Sequence, residues 1–380
     1  MIAPAYRIDI IKTTEEFHAL ADEWQALWRR AGGRHHESFV TCWLSWERVA
    51  KPIGRSLRIV AVLRDEQLIA VWPLVRSRNR LWTVLRPLSP ESADYTTVLI
   101  DPEHVSVELI ESIWRAALER CPSDIFLLPY LDHDDMLFRL ATSHQGLVTS
   151  KAHPYAIARL SREKDWESFA ASLGTLSGKK PGALLRRLER QGKVEMRILG
   201  PDDEEENARM IDWMLTCKRS WAERVDKKGA WLYSQAFRDY LVALANHPAD
   251  SDGRPYARVM VLMLDGVPVA ANMVGLGRSI MLGVMAGFDR DHSKLAPGAI
   301  TIEAWVRWAV ENGMDFDLGV GSETFKPYWS KGNMSAASSI QIAQSSWGRV
   351  AFAVNDGISK LAALRAEMRR GKAKVASEKL

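Results

Sequence analysis

The chain has 380 residues, enough for two domains at roughly 150 residues each. Apolar residues make up 47% and charged residues 26%, which excludes a disordered or fibrous protein, and a net charge of +4 is too small to call by itself for nucleic acid. The three cysteines, Cys42, Cys121 and Cys217, lie far apart with no CxxC pair; this excludes a disulfide framework and a cysteine zinc site and suits a reducing cytosol.

The N-terminal segment places Arg7 and Asp9 where a secretion signal needs an apolar run. Nothing further along approaches the ~18 uncharged apolar residues of a membrane span. Thr13 and Glu16 stand at capping-box spacing, and Phe17, Leu20, Trp24, Leu27 and Trp28 recur at helical intervals, so an amphipathic helix is expected there. A second short helix carries Phe39, Trp43 and Trp46. The β-rich runs 57–63 and 68–75 flank a polar turn and predict an antiparallel hairpin, and 81–89 continues the sheet. Helices near 105–120 and 132–143 bracket a strand over 124–130.

The second half repeats this order. Runs 256–264 and 267–276 flank Asp265-Gly266, a strong two-residue hairpin signal, and are followed by strand 279–288, a helix from Pro297 to Asn312 and a short strand over 315–319. At a shift of 200 residues Asp65 falls on Asp265 and Ala70 on Ala270, which points to a duplicated α/β unit. Between the halves lie helices near 203–224 and 233–246, preceded by the segment 178–193, in which six basic residues face only Glu189. The tail is also basic, with eight basic residues against three acidic from Trp347 onward. Each basic run reads either as a solvated helix face or as a contact for an anion: phosphate, acidic glycan or lipid headgroup.

Candidate chemistry concentrates in two clusters. In the first, a strand ends near Phe288, a polar loop follows, and Pro297-Gly298 opens a helix. Proline suits a first helical turn, and the unpaired amides and dipole of that turn favour an anion such as a diphosphate. Ser293 and Lys294 add a hydroxyl and a charge, so Ser293, Lys294, Leu295, Ala296, Gly298 and Ala299 form the candidate anion loop. In the second cluster, 316–332, Asp317 closes a short strand and a glycine-loosened loop carries Glu323, Lys326 and Tyr328. Loops beyond strand C-termini are where α/β sheets place ligands. Asp317 or Glu323 suits a general base, Tyr328 a proton donor and Lys326 an electrostatic stabiliser; the plain alternatives are surface charges and turn-stabilising carboxylates. No pattern of metal ligands and no Ser–His–Asp order stands out.

The segments FDLGVGSETFKPYW, AGFDRDHSKLAPGAIT and DGVPVAANMVGL, with SFVTCWLSWERVA, LIAVWPLV and ADYTTVLI in the first half, resemble the GNAT-superfamily acyltransferases of the CelD/BcsL group over most of residues 10–335. The chain is also similar to the Fem peptidyltransferases, which share a Phe-Lys motif like Phe325-Lys326 and use aminoacyl-tRNA. The resemblance implies an α/β (α+β) fold of tandem GNAT-like domains, each a mixed, mostly antiparallel sheet flanked by helices. The expected division is 1–160, a connecting segment 161–255 belonging to the second domain, a core 256–345 and a basic amphipathic tail 346–380. The resemblance further implies an acyl-CoA donor, acetyl-CoA above all, with its diphosphate on the backbone from Leu295 to Ala299. The expected acceptor is a small molecule or a glycan, and for some members of that group the resemblance implies a link to cellulose or exopolysaccharide synthesis. The corresponding stretch of the first half, 96–106, has no glycine, so one donor site is expected, in the second half. The expected location is the cytoplasm, with the tail as a contact to a membrane face or a synthase. Two alternatives stand beside this reading: a Fem-like aminoacyl-tRNA-dependent transferase, and a non-catalytic accessory module of a polysaccharide synthase.

Overall fold

The computed structural model describes residues 6–91, 95–226, 229–354 and 356. The duplication is visible first in the two hairpins. Strands Ile59–Arg64 and Gln67–Trp72 turn through Asp65 and Glu66 at φ 50° and 63°, and Ala257–Leu264 and Val267–Leu276 turn through Asp265 and Gly266 at φ 50° and 79°. Two consecutive left-handed residues make the turn whose twist matches the flanking strands. The likeness extends to an irregularity: the register slips between Val62 and Leu63 in one hairpin and between Leu262 and Met263 in the other, at the same offset of 200.

The strands form a four-stranded and an eleven-stranded sheet. At the middle of the larger sheet the halves exchange their last strands. Leu147–Ala158, at the end of the first half, pairs antiparallel with Asp315–Val320 of the second. Met334–Ala343, at the end of the second half, pairs with Ile125–Asp132 of the first, and the two exchanged strands pair with each other. Each half also contains one parallel pair: Trp82–Pro87 with Ile125–Asp132, and Ile280–Phe288 with Asp315–Val320. A parallel pair needs a crossover, and the helices Val107–Arg120 and Pro297–Glu311 supply it.

Thr13 caps its helix with the expected reciprocal box, but the long helix read from Phe17 to Trp28 is two, Thr14–Ala19 and Ala21–Arg30, jointed at Leu20. Four strands carry too little alternation to be read from sequence: Arg7–Ile11, Leu147–Ala158, Val194–Leu199 and Met334–Ala343. The basic segment is a turn followed by the short helix Ala183–Glu189. Tryptophan abundance has a core explanation in part, since Trp24, Trp28, Trp72 and Trp305 are fully buried. One core runs across the halves, packing Trp24, Trp28 and Trp46 with Met214, Phe237 and Tyr240 of helices Glu204–Arg224 and Gln235–Ala245.

The start of the basic tail, 346–354, is helical and leans on the first half. The Trp82 indole donates to the Trp347 carbonyl at 2.9 Å, and their rings lie 5.6 Å apart. The rest of the tail, 357–380, lies outside the described residues. Among the described residues no helix is long and apolar enough to cross a membrane.

Candidate active site

The site begins where a strand pair comes apart. Ile280–Phe288 pairs with Asp315–Val320 only over Ile280↔Asp315, Met281↔Phe316 and Leu282↔Asp317. On the other edge of the same strand the register jumps from Met273↔Met285 to Val274↔Gly283, which leaves Val284 as an extra residue. A bulge bends its strand and sharpens the local twist, so the segment from Gly283 to Phe288 diverges from its parallel neighbour. The opposite arm is kinked as well: Asp317 accepts the Gly319 N–H at 2.8 Å, with Gly319 at φ 76°.

Two cavities occupy this fork and share Asn272, Ala286, Ile302 and Phe325 in their walls. The outer one, about 710 Å³, is walled by the 176–187 segment on one side and the start of helix Pro297–Glu311 on the other. Ser293, Lys294, Ala296, Gly298 and Ala299 line it, and so do Lys179, Lys180 and Arg187. The basic run and the anion loop, about 110 residues apart in sequence, thus face one space. Leu295 does not line it; its side chain packs against Leu188, Leu262 and Ile300. Within the loop, the amides of Leu295, Ala296 and Ala299 are spent on His292, Ser293 and Ala296 carbonyls of the turn. Ala296, at φ 54°, offers no capping side chain, and the Gly298 amide has no hydrogen-bond partner among the described residues. One helix-terminal amide is therefore open to the cavity, not all four that Leu295, Ala296, Gly298 and Ala299 carry.

The inner cavity, about 450 Å³, lies in the fork itself between Gly283–Ala286 and Leu318–Val320. Its walls are aromatic: Tyr95 and Tyr130 from the first half, Trp221, Trp231 and Tyr240 from the second. His35 of the first half closes its floor, lying so close to Gly275 that a Cβ there would meet the imidazole at 2.3 Å. Burial holds the His35 imidazole down to about 3, so the ring is neutral.

Of the four candidate catalytic residues, only Tyr328 lines either cavity. Its hydroxyl donates to the Gly174 carbonyl at 3.3 Å, and burial, then the nearby Glu303, raises its phenol above the ordinary range. Asp317 is 3% exposed and lies behind the fork, accepting from the Tyr95 hydroxyl at 3.1 Å and from Gly319. Burial raises its carboxyl, while the Arg34 guanidinium, those two hydrogen bonds and Lys326 pull the other way. Lys326 is 4% exposed; its ammonium donates to the carbonyls of Gly319 at 3.0 Å and Val320 at 2.7 Å and pairs with Glu323 at 2.9 Å. The exposed Glu323 completes that clasp. These three residues brace the kinked arm of the fork.

Residues 182–327 match a family model described as an acetyltransferase (GNAT) domain. This stretch is a GNAT-type acyltransferase domain. It contains the helical part of the basic run, the forked strands, the anion loop and the second cluster as far as Lys326, while Tyr328 lies just beyond it. No curated protein matches the chain in sequence. Among solved structures, FemX is 11% identical, with a TM-score of 0.57 covering 90% of this chain and 99% of that one. The C-terminal domain (DUF2156) of a putative lysylphosphatidylglycerol synthetase from Agrobacterium fabrum is 12% identical, with a TM-score of 0.53 covering 90% and 96%. A conserved protein of unknown function from Bacteroides thetaiotaomicron is 11% identical, with a TM-score of 0.50 covering 88% and 100%. At these identities the likeness is one of fold, extending over both halves.

The first GNAT-like half differs at the corresponding helix. Ser106 caps Val107–Arg120 by accepting the Leu109 N–H at 3.1 Å, a side-chain cap that Ala296 cannot supply in the GNAT domain. Two lining residues escaped the sequence reading. Glu303 accepts the Gly182 N–H, and burial raises its carboxyl; it sits on a helix whose pattern reads simply as amphipathic. Asn272 is 7% exposed within an otherwise apolar strand, and a lone polar residue in such a run was the available signal.

Proposed function

We propose that the protein transfers an acyl group, acetyl in the simplest case, from acyl-CoA to the amine or hydroxyl of a small molecule or glycan. One observation carries this reading: the open Gly298 amide, Lys179 and Arg187 face a cavity that continues into the fork of the parallel strands. The diphosphate of CoA meets the amide and the cations, and the pantetheine arm follows the diverging edge of Gly283–Phe288 inward. A strand amide on that edge polarises the thioester carbonyl. The acceptor, held in the aromatic inner cavity, attacks the carbonyl carbon. A new C–N or C–O bond forms, the C–S bond breaks, the acceptor's proton passes to water and the leaving thiolate takes one from the Tyr328 hydroxyl. Asp317, Glu323 and Lys326 act as positioning residues that hold the fork open. Aromatic walls suit stacking against a sugar ring, in keeping with an acceptor drawn from exopolysaccharide or cellulose synthesis.

The competing donor is an aminoacyl-tRNA, which the same cations and the fold shared with FemX also accommodate. Thermal denaturation with acetyl-CoA, longer acyl-CoAs and charged tRNA separates the two. A ligand at a hundred times its dissociation constant stabilises the native state by about 2.7 kcal/mol. Stabilisation by acyl-CoA supports the proposal. Stabilisation by tRNA alone, weakening with salt, transfers the assignment to the Fem-like reading. A response to neither leaves the non-catalytic accessory role.

A further inference from the structure

The strand Val267–Leu276 is buried from Val269 onward, and its buried side chains Val269, Ala270, Ala271, Met273 and Val274 are apolar. Asn272 interrupts them. Its carbonyl oxygen is enclosed without a hydrogen-bond partner, and neither end of the amide makes a hydrogen bond among the described residues. A buried amide left unpaired costs about 1–3 kcal/mol, and such groups are rare enough in native proteins that each asks for a cause.

Its position supplies one. Asn272 stands directly opposite Ala286 across the antiparallel ladder, so the two side chains share a sheet face. Both line the outer cavity and the inner one, at the boundary between the two. Ala286 also belongs to the strand segment that has lost its parallel partner. Gly298 and Asn272 line the same outer cavity.

We propose that Asn272 is a catalytic residue, its side-chain amide donating a hydrogen bond to the acyl carbonyl oxygen of the bound thioester. The inference rests on the acyl-CoA reading above and adds a second donor to the strand amide. As the acceptor attacks, the carbonyl π electrons move onto the oxygen. Two donors fixed in place stabilise that charge without reorganising. The donor end of the amide, without a partner in the free protein, gains one in the complex.

The test uses the full chain and two variants, Asn272→Ala and Asn272→Asp. The probe is acetyl-CoA carrying ¹³C at the thioester carbonyl, read by difference infrared spectroscopy, with calorimetric titration of CoA and thermal denaturation alongside. Wild type is expected to move the carbonyl band to lower frequency on binding. Both variants are expected to lose a large part of that shift, keeping only the part due to the strand amide, while CoA affinity stays within about threefold. Asn272→Ala should melt no lower than wild type, because removing an unpaired buried amide is neutral or stabilising; a merely structural asparagine would give the opposite. A band shift of undiminished size in both variants overturns the contact while leaving the acyl-CoA reading intact. Failure of wild type to bind acetyl-CoA overturns both.

Discussion

Replacing Gly298 with aspartate should move stability and ligand binding in opposite directions. Gly298 lies in the first turn of Pro297–Glu311, and the nearest atoms to a Cβ built there belong to Phe288, the closest at 3.5 Å, an ordinary contact. The new side chain therefore fits without strain. Its carboxylate sits at a helix N-terminus that no side chain caps, where a negative charge is worth about 0.3–1 kcal/mol. The midpoint of thermal or urea unfolding should stay or rise slightly. The same carboxylate stands where the diphosphate is proposed to bind. Two unit charges ~4 Å apart near a protein surface repel by about 4 kcal/mol, and every 1.4 kcal/mol is tenfold in affinity. Calorimetric titration with CoA should show at least a hundredfold loss, and raised salt should recover part of it. CoA affinity within twofold of wild type, in a variant that unfolds normally, would remove the Gly298 turn from the donor site.

The clasp around Lys326 predicts a structural defect instead. Lys326→Met strips the donor from the Gly319 and Val320 carbonyls and the partner from Glu323; at about 1–3 kcal/mol for each unpaired group, urea unfolding should register a loss of ~2–4 kcal/mol, with CoA affinity little changed. A turnover defect in a variant of wild-type stability would return Lys326 to the chemistry. In the first half, Ser106→Ala should cost about 1 kcal/mol through the lost cap and leave CoA titration untouched, because that helix end is closed by its own side chain. Stability should also fall as pH drops from about 6.5 towards 4. Burial holds His35 to about 3, and burial holds His36 to about 4 beside Glu37 and Arg34. The folded chain refuses protons that the unfolded chain binds below ~6.5, worth about 1.4 kcal/mol per pH unit for each ring. Urea midpoints across that range should decline for wild type and flatten in a His35→Gln/His36→Gln double variant; an equal decline in both would show that other groups dominate.

Local chemistry made much of this protein legible in one dimension. The Asp265-Gly266 turn, the Thr13 capping box and the Pro297 helix start are each set by a few neighbouring residues, and all three stand where their spacing puts them. Duplication was readable because a hairpin and its turn recur at a fixed offset, down to the matching register slip. What the sequence could not declare depends on partners distant along the chain. The exchange of Leu147–Ala158 and Met334–Ala343 between halves pairs strands from distant parts of the chain, which no local pattern encodes. The fork arises from a bulge at Val284 that only the neighbouring register reveals. Asp317 and Lys326 carry the composition of catalytic groups, yet packing turns both inward onto the loop that they hold. Asn272 has an inconspicuous composition, and packing brings it to the boundary of both cavities with its amide unpaired. Propensity and turn chemistry act over a few residues and survive in the sequence, whereas the direction a charged side chain faces is fixed by the whole set of contacts around it.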